Sequence, residues 1–345
     1  MKPRDIILNQ IHHRETDPIP YTLPIDNGLA EKLDAHYGNA LWRDRLKPYI
    51  KDVSVVDTTK GMWWSNDDSN LSRDLYGTLW RTDLRPVHME EAALKEPTFE
   101  GYDWPDPSKF CADKEAVAAQ RTICDANKDD VFMLTRLGWG LFESSWGMRG
   151  FENVLMDVAA EPDFFEELLD RITEQILAYI EFTCKSLPDI DAIFFGDDWA
   201  DQRGIIIGPD RWRQLFKPRY ARIYEAAHAH GKIVMSHCCG STVDILDDMI
   251  EIGLDVYESV QPEARGMNPY ELKKRWGDKI TFWGCLGSQS TIPRGTPAEI
   301  HAEVSKLRRE MSKGGGYILA PAKPLPTETP LENAVAIVEA FADRD

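Results

Sequence analysis

KIVMSHCCG, residues 232–240, carries the reading on which the fold turns. A short apolar run ends abruptly in His237, Cys238, Cys239 and Gly240. The stretch before it, PDRWRQLFKPRYARIYEAAHAHG (209–231), has apolar residues at helical spacing and stops at a glycine. A brief apolar run behind a glycine-terminated amphipathic helix is the signature of a buried strand in a parallel sheet.

Working outward, the same unit recurs. Strand-like runs appear at VFMLTRLGWG (131–140), AIFFGDDW (192–199), DVYESVQP (255–262), ITFWGCLG (280–287) and YILAPAK (317–323). Amphipathic stretches separate them at 164–184, 241–253, 268–278 and 297–315, and a last one at 330–344 closes the series. Alternating strands and helices predict α/β architecture built from parallel β/α units. Their number and length suit a closed (β/α)8 TIM barrel better than an open doubly wound sheet. No G-x-G-x-x-G opens a helix after the first strand, which weakens a dinucleotide-binding reading.

The first third is irregular. IPYTLPID (19–26) reads as a short strand, 28–37 and 39–49 as helices, and VSVVDTT (53–59) as a strand. GMWWSNDDSN (61–70) and DLYGTLWRTD (74–83) have the residues of a hairpin or meander, and a helix is expected near 108–126. The expectation is one barrel domain over 1–345. Residues 1–128 form an irregular N-terminal extension with the first barrel elements, and 129–345 form the regular β/α units.

The chain has 58 acidic and 40 basic residues, a formal net charge of −18. That charge repels phosphate backbones and anionic lipid, so neither nucleic acid nor membrane is an expected partner. No apolar run approaches the roughly 20 residues of a membrane helix. MKPRDIILNQIHHRETDPIP lacks the apolar core of a secretory signal, and six cysteines in 345 residues do not suggest a disulfide framework. A cytoplasmic location with reduced thiols is expected.

In a barrel of this class the chemistry gathers at the carboxyl ends of the strands. Those ends read G-D-D-W, S-H-C-C-G, E-S-V-Q-P, G-C-L-G-S-Q and A-P-A-K. His237 and Cys239 are two apart on one strand and so face the same way, with Cys238 opposite. Imidazole and thiolate together suit zinc, although a buried histidine beside two packing cysteines has the same sequence. A catalytic zinc needs a third protein ligand, and Cys285 and Glu258 end the next strands. Glu258 also suits a general acid or base, and Cys285 also suits plain packing. Of Asp197 and Asp198, one should reach the pocket, with Gln202 behind it; the other caps a following helix or pairs with Arg203. Trp63, Trp64 and Trp139 suit either an aromatic wall for a flat substrate or lid packing.

Longer runs carry a family resemblance. FGDDWADQRG (195–204), HAHGKIVMSHCCGS (228–241), IEIGLDVYESVQPEARGM (250–267), LKKRWGDKITFWGCLGSQ (272–289) and GGGYILAPAKPLPTETPLENAVAIVEAF (314–341) follow the order of uroporphyrinogen decarboxylase-like proteins. PRDIILNQIHHRETDPIPY (3–21) is similar to the same group. The arginine-rich segment with which the decarboxylases hold a tetrapyrrole is replaced here by YTLPIDNGLAEK (21–32), which leaves porphyrin decarboxylation as an alternative. The chain resembles more closely the cobamide-dependent methyltransferases, whose His-x-Cys pair matches His237 and Cys239. Their later cysteine falls at Pro321-Ala322-Lys323-Pro324, where lysine stands in its place. The resemblance implies an O-demethylating methyltransferase, acting on a small methoxylated, aromatic substrate with zinc on His237 and Cys239 completed by Glu258 or Cys285. Glu258, Asp197 or Lys323 would donate a proton to the departing oxygen. No cobalamin-binding Asp-x-His-x-x-Gly motif is present, so the cobalamin (corrinoid) would arrive on a partner corrinoid protein. Methyl transfer to a thiol is the other alternative, and a homodimer is the assembly suggested by relatives of this fold.

Overall fold

The protein is described by a computed structural model that covers residues 1–60, 70–83 and 87–342. Three short strands in the first third, β2 (Leu71–Arg73), β3 (Leu79–Arg81) and β4 (His88–Glu91), make an antiparallel sheet apart from the barrel. The main sheet is parallel and holds β1 (Ile50–Asp52), β5 (Phe132–Leu137), β6 (Ala192–Gly196), β7 (Ile233–His237), β8 (Val256–Val260), β9 (Thr281–Leu286) and β10 (Tyr317–Pro321), in that spatial order. The eighth position beside β10 is taken by the 20–26 segment, through parallel bridges Tyr21–Leu319 and Ile25–Leu325. The α/β barrel expected from the alternating pattern is therefore the observed architecture, with all six regular strands where the sequence placed them.

β6, β9 and β10 are buried along their whole length, while β5, β7 and β8 are buried except at a few positions that include Arg136, His237 and Glu258. Continuous Ile, Val, Leu and Phe runs follow from having helices on one face and the barrel interior on the other. Helix Pro3–Ile11 closes the amino-terminal end of the barrel: buried Gln10 accepts from Gly316 N through its carbonyl (2.7 Å) and from Tyr317 N through Oε1 (3.1 Å). Among the described residues no helix is long and apolar enough to cross a membrane.

The irregular third departs from the sequence reading in two places. The helix expected over 39–49 is only a 3-10 turn, Leu41–Arg45, because Pro48 follows closely and the chain must extend into β1. The strand expected over 53–59 lies earlier, at Ile50–Asp52, and only Val56 forms a bridge, antiparallel to Cys111. There the Ser54 hydroxyl donates to the Val56 carbonyl at 2.7 Å, a local bond that competes with a ladder. The expected long helix 209–231 is two, Pro209–Leu215 and Lys217–Ala229, broken where Pro218 removes an amide donor. The meander expectation holds for β2–β4, whereas Trp63 and Trp64 lie outside the described residues.

Asp197, fully buried after β6, anchors the neighbouring β/α connection. Its carboxylate accepts from the amides of Phe142 (2.9 Å) and Glu143 (2.8 Å) and from the Tyr220 hydroxyl (2.5 Å). It thus caps helix Leu141–Arg149, an earlier helix and not the following one. Gly140 is required at this junction, since a Cβ there would lie 2.3 Å from the Tyr220 hydroxyl and 2.7 Å from Asp197 Cβ. Burial pushes the Asp197 carboxyl well above the usual carboxylate range, against the hydrogen bonds it accepts. A catalytic role expected for Asp197 finds no support in this placement, which is that of a structural cap. Asp197→Ala should cost about 3 kcal/mol, because two helix-terminal amides and a buried hydroxyl lose their acceptor. Urea unfolding would check this; an Asp197→Ala protein as stable as the parent but inactive would restore the catalytic assignment.

Candidate metal centre and active-site cavity

Register brings the site together. Gly196 pairs with His237, His237 with Glu258, and Glu258 with Trp283, across β6 to β9. His237 and Glu258 therefore stand side by side on the inner face, and the His237 Nδ1–H donates to the Glu258 carboxylate. That bond directs Nε2 the other way, to 3.1 Å from Cys239 Sγ and 3.5 Å from Asp198 Oδ1. Asp198 is itself fixed by the Cys239 amide, which donates to Oδ1 at 2.7 Å. Gly240 makes the tight turn after Cys239: its φ is +85°, and a Cβ would meet the Asp201 carbonyl at 2.3 Å.

One ligand atom each from Asp198, His237 and Cys239 lies within 4.8 Å of the other two. Ligands of a tetrahedral zinc, with bonds of about 2.0–2.3 Å, sit roughly 3.3–3.8 Å apart, so the cluster fits such an ion with little movement. Nitrogen, sulfur and oxygen form a donor set that zinc accepts, and a carboxylate on the far ring nitrogen is the usual support for a metal-bound histidine. Burial disfavours the His237 cation, but Glu258 and Cys239 outweigh it and hold the imidazole well above its ordinary value. Lys323 completes the group. Burial opposes its charge as well, yet Cys239, Asp198 and Glu258 raise the ammonium above the usual lysine range, with a hydrogen bond to Cys239. The lysine is brought there from β10, whose end is tied across the barrel where Ser259 Oγ donates to the Ala322 carbonyl.

Through His237 the cluster meets a cavity of about 720 Å³, whose walls include Tyr21, Tyr49, Phe194 and Trp283 and whose floor includes His237, Glu258 and Lys323. Several residues singled out in the sequence sit elsewhere. Cys285 shares its strand parity with cavity-lining Trp283, but Gly284 (φ +120°) and Cys285 (φ +81°) break the alternation. Its thiol is buried beside the Tyr317 hydroxyl, near Glu303, and burial pushes it far up; it is not among the clustered donors. Trp139 packs against Trp80 (5.9 Å) and Trp146 (4.7 Å) under the meander and does not line the cavity. Gln202 also lies off the cavity, donating to Gln261 Oε1 at 3.1 Å. Gln261 in turn accepts from the Gly240 amide, so the pair braces the turn behind Cys239. Cys238 is fully buried on the opposite face, as alternation required.

The family profile described as Uroporphyrinogen decarboxylase (URO-D) matches residues 138–344. The chain belongs to the uroporphyrinogen decarboxylase family. It is 32% identical over 178 residues to the Methylcobamide:CoM methyltransferase MtaA of Methanosarcina barkeri, covering 52% of this chain and 48% of the relative. The same-named protein of strain Fusaro is 30% identical over equal coverage. The chain thus spans about half the length of these relatives in the match. Among solved structures, a methyltransferase from Methanosarcina mazei superposes with a TM-score of 0.72 at 19% identity, covering 99% of this chain and 98% of that one. That likeness extends the shared fold through the irregular N-terminal third.

On this URO-D-family barrel, two groups facing the site were not singled out from the sequence. Glu143, in the first turn of helix Leu141–Arg149, is driven above the usual carboxylate range by burial and by Asp197 and Asp198. Arg136 points into the cavity from β5. Its signal was present, since arginine inside the apolar run VFMLTRL must face water or a ligand. Metal analysis should find one zinc per chain. Cys239→Ala and Asp198→Ala should lose it, Cys238→Ala and Cys285→Ala should retain it, and Glu258→Gln should weaken it by about 10–100-fold. Zinc loss in Cys285→Ala equal to that in Cys239→Ala would contradict the cluster.

Proposed function

We propose that this URO-D-family protein is a corrinoid-dependent methyltransferase that removes methyl from a methoxylated aromatic compound and passes it to the corrinoid of a partner protein. The observation that carries the proposal is the Asp198–His237–Cys239 cluster, whose His237 lines an aromatic-walled cavity at the strand ends. The relatives named as methylcobamide:CoM methyltransferases support the reaction class.

An aryl methyl ether is a poor methyl donor because charge gathers on the departing oxygen. Zinc, when bound, supplies a Lewis acid for that oxygen. Asp198, His237 and Cys239 would hold the ion, and Glu258 keeps the His237 ring turned with Nε2 toward Cys239 and Asp198. Lys323 holds a proton beside the cluster and delivers it to the phenolic oxygen as the carbon–oxygen bond breaks. Tyr21, Tyr49, Phe194 and Trp283 supply apolar walls that hold a flat ring and exclude water.

The name of the relatives favours a second reading, methyl transfer from a methylated corrinoid to a thiol. That chemistry gains from an electron-rich metal that leaves a bound thiolate nucleophilic. Here the third clustered donor is a carboxylate and a lysine ammonium contacts Cys239, a set that would make a bound metal a stronger Lewis acid and so suit an ether oxygen better. Incubating the zinc-loaded protein with a reduced corrinoid protein and a methoxylated aromatic should yield the phenol and methylated corrinoid in equal amounts. Lys323→Met should retain zinc yet lower turnover by about 10²–10³-fold. Rapid thiol methylation without phenol formation would select the second reading.

A further inference from the structure

We propose that Arg136 builds an anion subsite in the cavity, across the Phe194 ring from the donor cluster, and that the ligand taken there is a planar aromatic carboxylate. This deepens the function proposed above by giving its substrate a charge.

Arg136 is held on one edge only. Its Nε donates to Asp52 Oδ1 at 2.6 Å, and among the described residues its two terminal nitrogens have no protein acceptor. The guanidinium lies over Phe194, with its carbon 4.2 Å from the ring centroid, and 5.8 Å from that of Trp283. An aromatic face beneath a guanidinium fixes its plane and strips part of its water. The open edge of a fixed fork matches the two oxygens of a carboxylate, a geometry that a lysine does not reproduce.

The walls determine what the carboxylate is attached to. Phe194 and Trp283 stand 5.9 Å apart by centroid at an angle of 79°, and Trp283 is pinned by donating from Nε1 to Thr22 Oγ1 at 2.9 Å. Phe194 is 6.4 Å from the His237 ring. Phe194 thus neighbours both the Arg136 fork and the His237 ring, so a benzene ring beside it with its carboxylate at the fork would turn its opposite substituent to the His237 side.

The charges agree. Lys47, Arg136 and Lys323 line the cavity together with the carboxylates of Asp52 and Glu258. Lys323 is committed to Cys239, and Lys47 forms no ion pair among the described residues. With Glu258 paired to His237, Lys47 and Arg136 face the single carboxylate of Asp52 away from the donor cluster, which favours an anionic ligand there in a chain of net charge −18. Asp52 neutralises part of the cationic charge and turns the fork inward.

The test is calorimetric titration of the zinc-loaded protein with 4-methoxybenzoate and with its neutral isostere 4-methoxybenzamide. The carboxylate should bind at least tenfold tighter than the amide. Arg136→Met should abolish that preference while still binding the amide, which shows an intact cavity, and Arg136→Lys should keep only part of it. Equal affinities in the parent protein, no binding of either compound, or a preference that survives Arg136→Met would overturn the subsite. Binding is read without methyl transfer, so carboxylate selectivity in a protein that never methylates a corrinoid would leave the subsite standing and remove the proposed reaction.

Discussion

A hydrogen bond from His237 Nδ1 to Glu258 orients the whole cluster. It exists because adjacent parallel strands are in a register that sets the two residues side by side at the barrel mouth. With Nδ1 occupied, Nε2 faces Cys239 and Asp198, and three different donor atoms converge. A slip of one residue in either strand would turn one partner into the helix layer and dissolve the site.

Such a cluster is costly to build. Asp198, Glu258 and Glu143 crowd one region of an already acidic chain, where His237 and Lys323 are the opposing groups among the described residues. Groups arranged this way lose stability through like-charge repulsion and desolvation, and a bound divalent cation is the natural counter-charge. The surrounding braces fit that need. Asp197 fastens the 141–149 helix, Gln202 and Gln261 support the turn at Gly240, and Ser259 ties the Lys323 segment to β8.

Much of this was legible in the residues. The six regular strands and the inward-facing His237 and Cys239 followed from glycine-bounded apolar runs and from a side-chain period of two. The rest depended on tertiary facts that local pattern does not encode. Parity placed Cys285 beside Trp283, but two left-handed backbone conformations rotated it into the helix layer. Of two adjacent aspartates, which one reaches the metal cluster was set by the Cys239 amide and which one caps a helix by Tyr220. Trp139 was legible as an aromatic and not as a wall, because its partners Trp80 and Trp146 lie 59 residues back and seven residues on. Arg136 was visible in its strand, yet its ligand-facing edge depends on Asp52 from a different strand.

In the proposed scheme a single metal, which the His237 imidazole, the Cys239 thiolate and the Asp198 carboxylate would hold, links the family fold, the aromatic cavity and the acid beside it. X-ray absorption at the zinc edge of the loaded protein reads that donor set directly. One sulfur neighbour near 2.3 Å, with the remaining neighbours nitrogen and oxygen near 2.0–2.2 Å, is the expected spectrum. Two or more sulfur neighbours, or zinc that stays hydrated in solution, would contradict it.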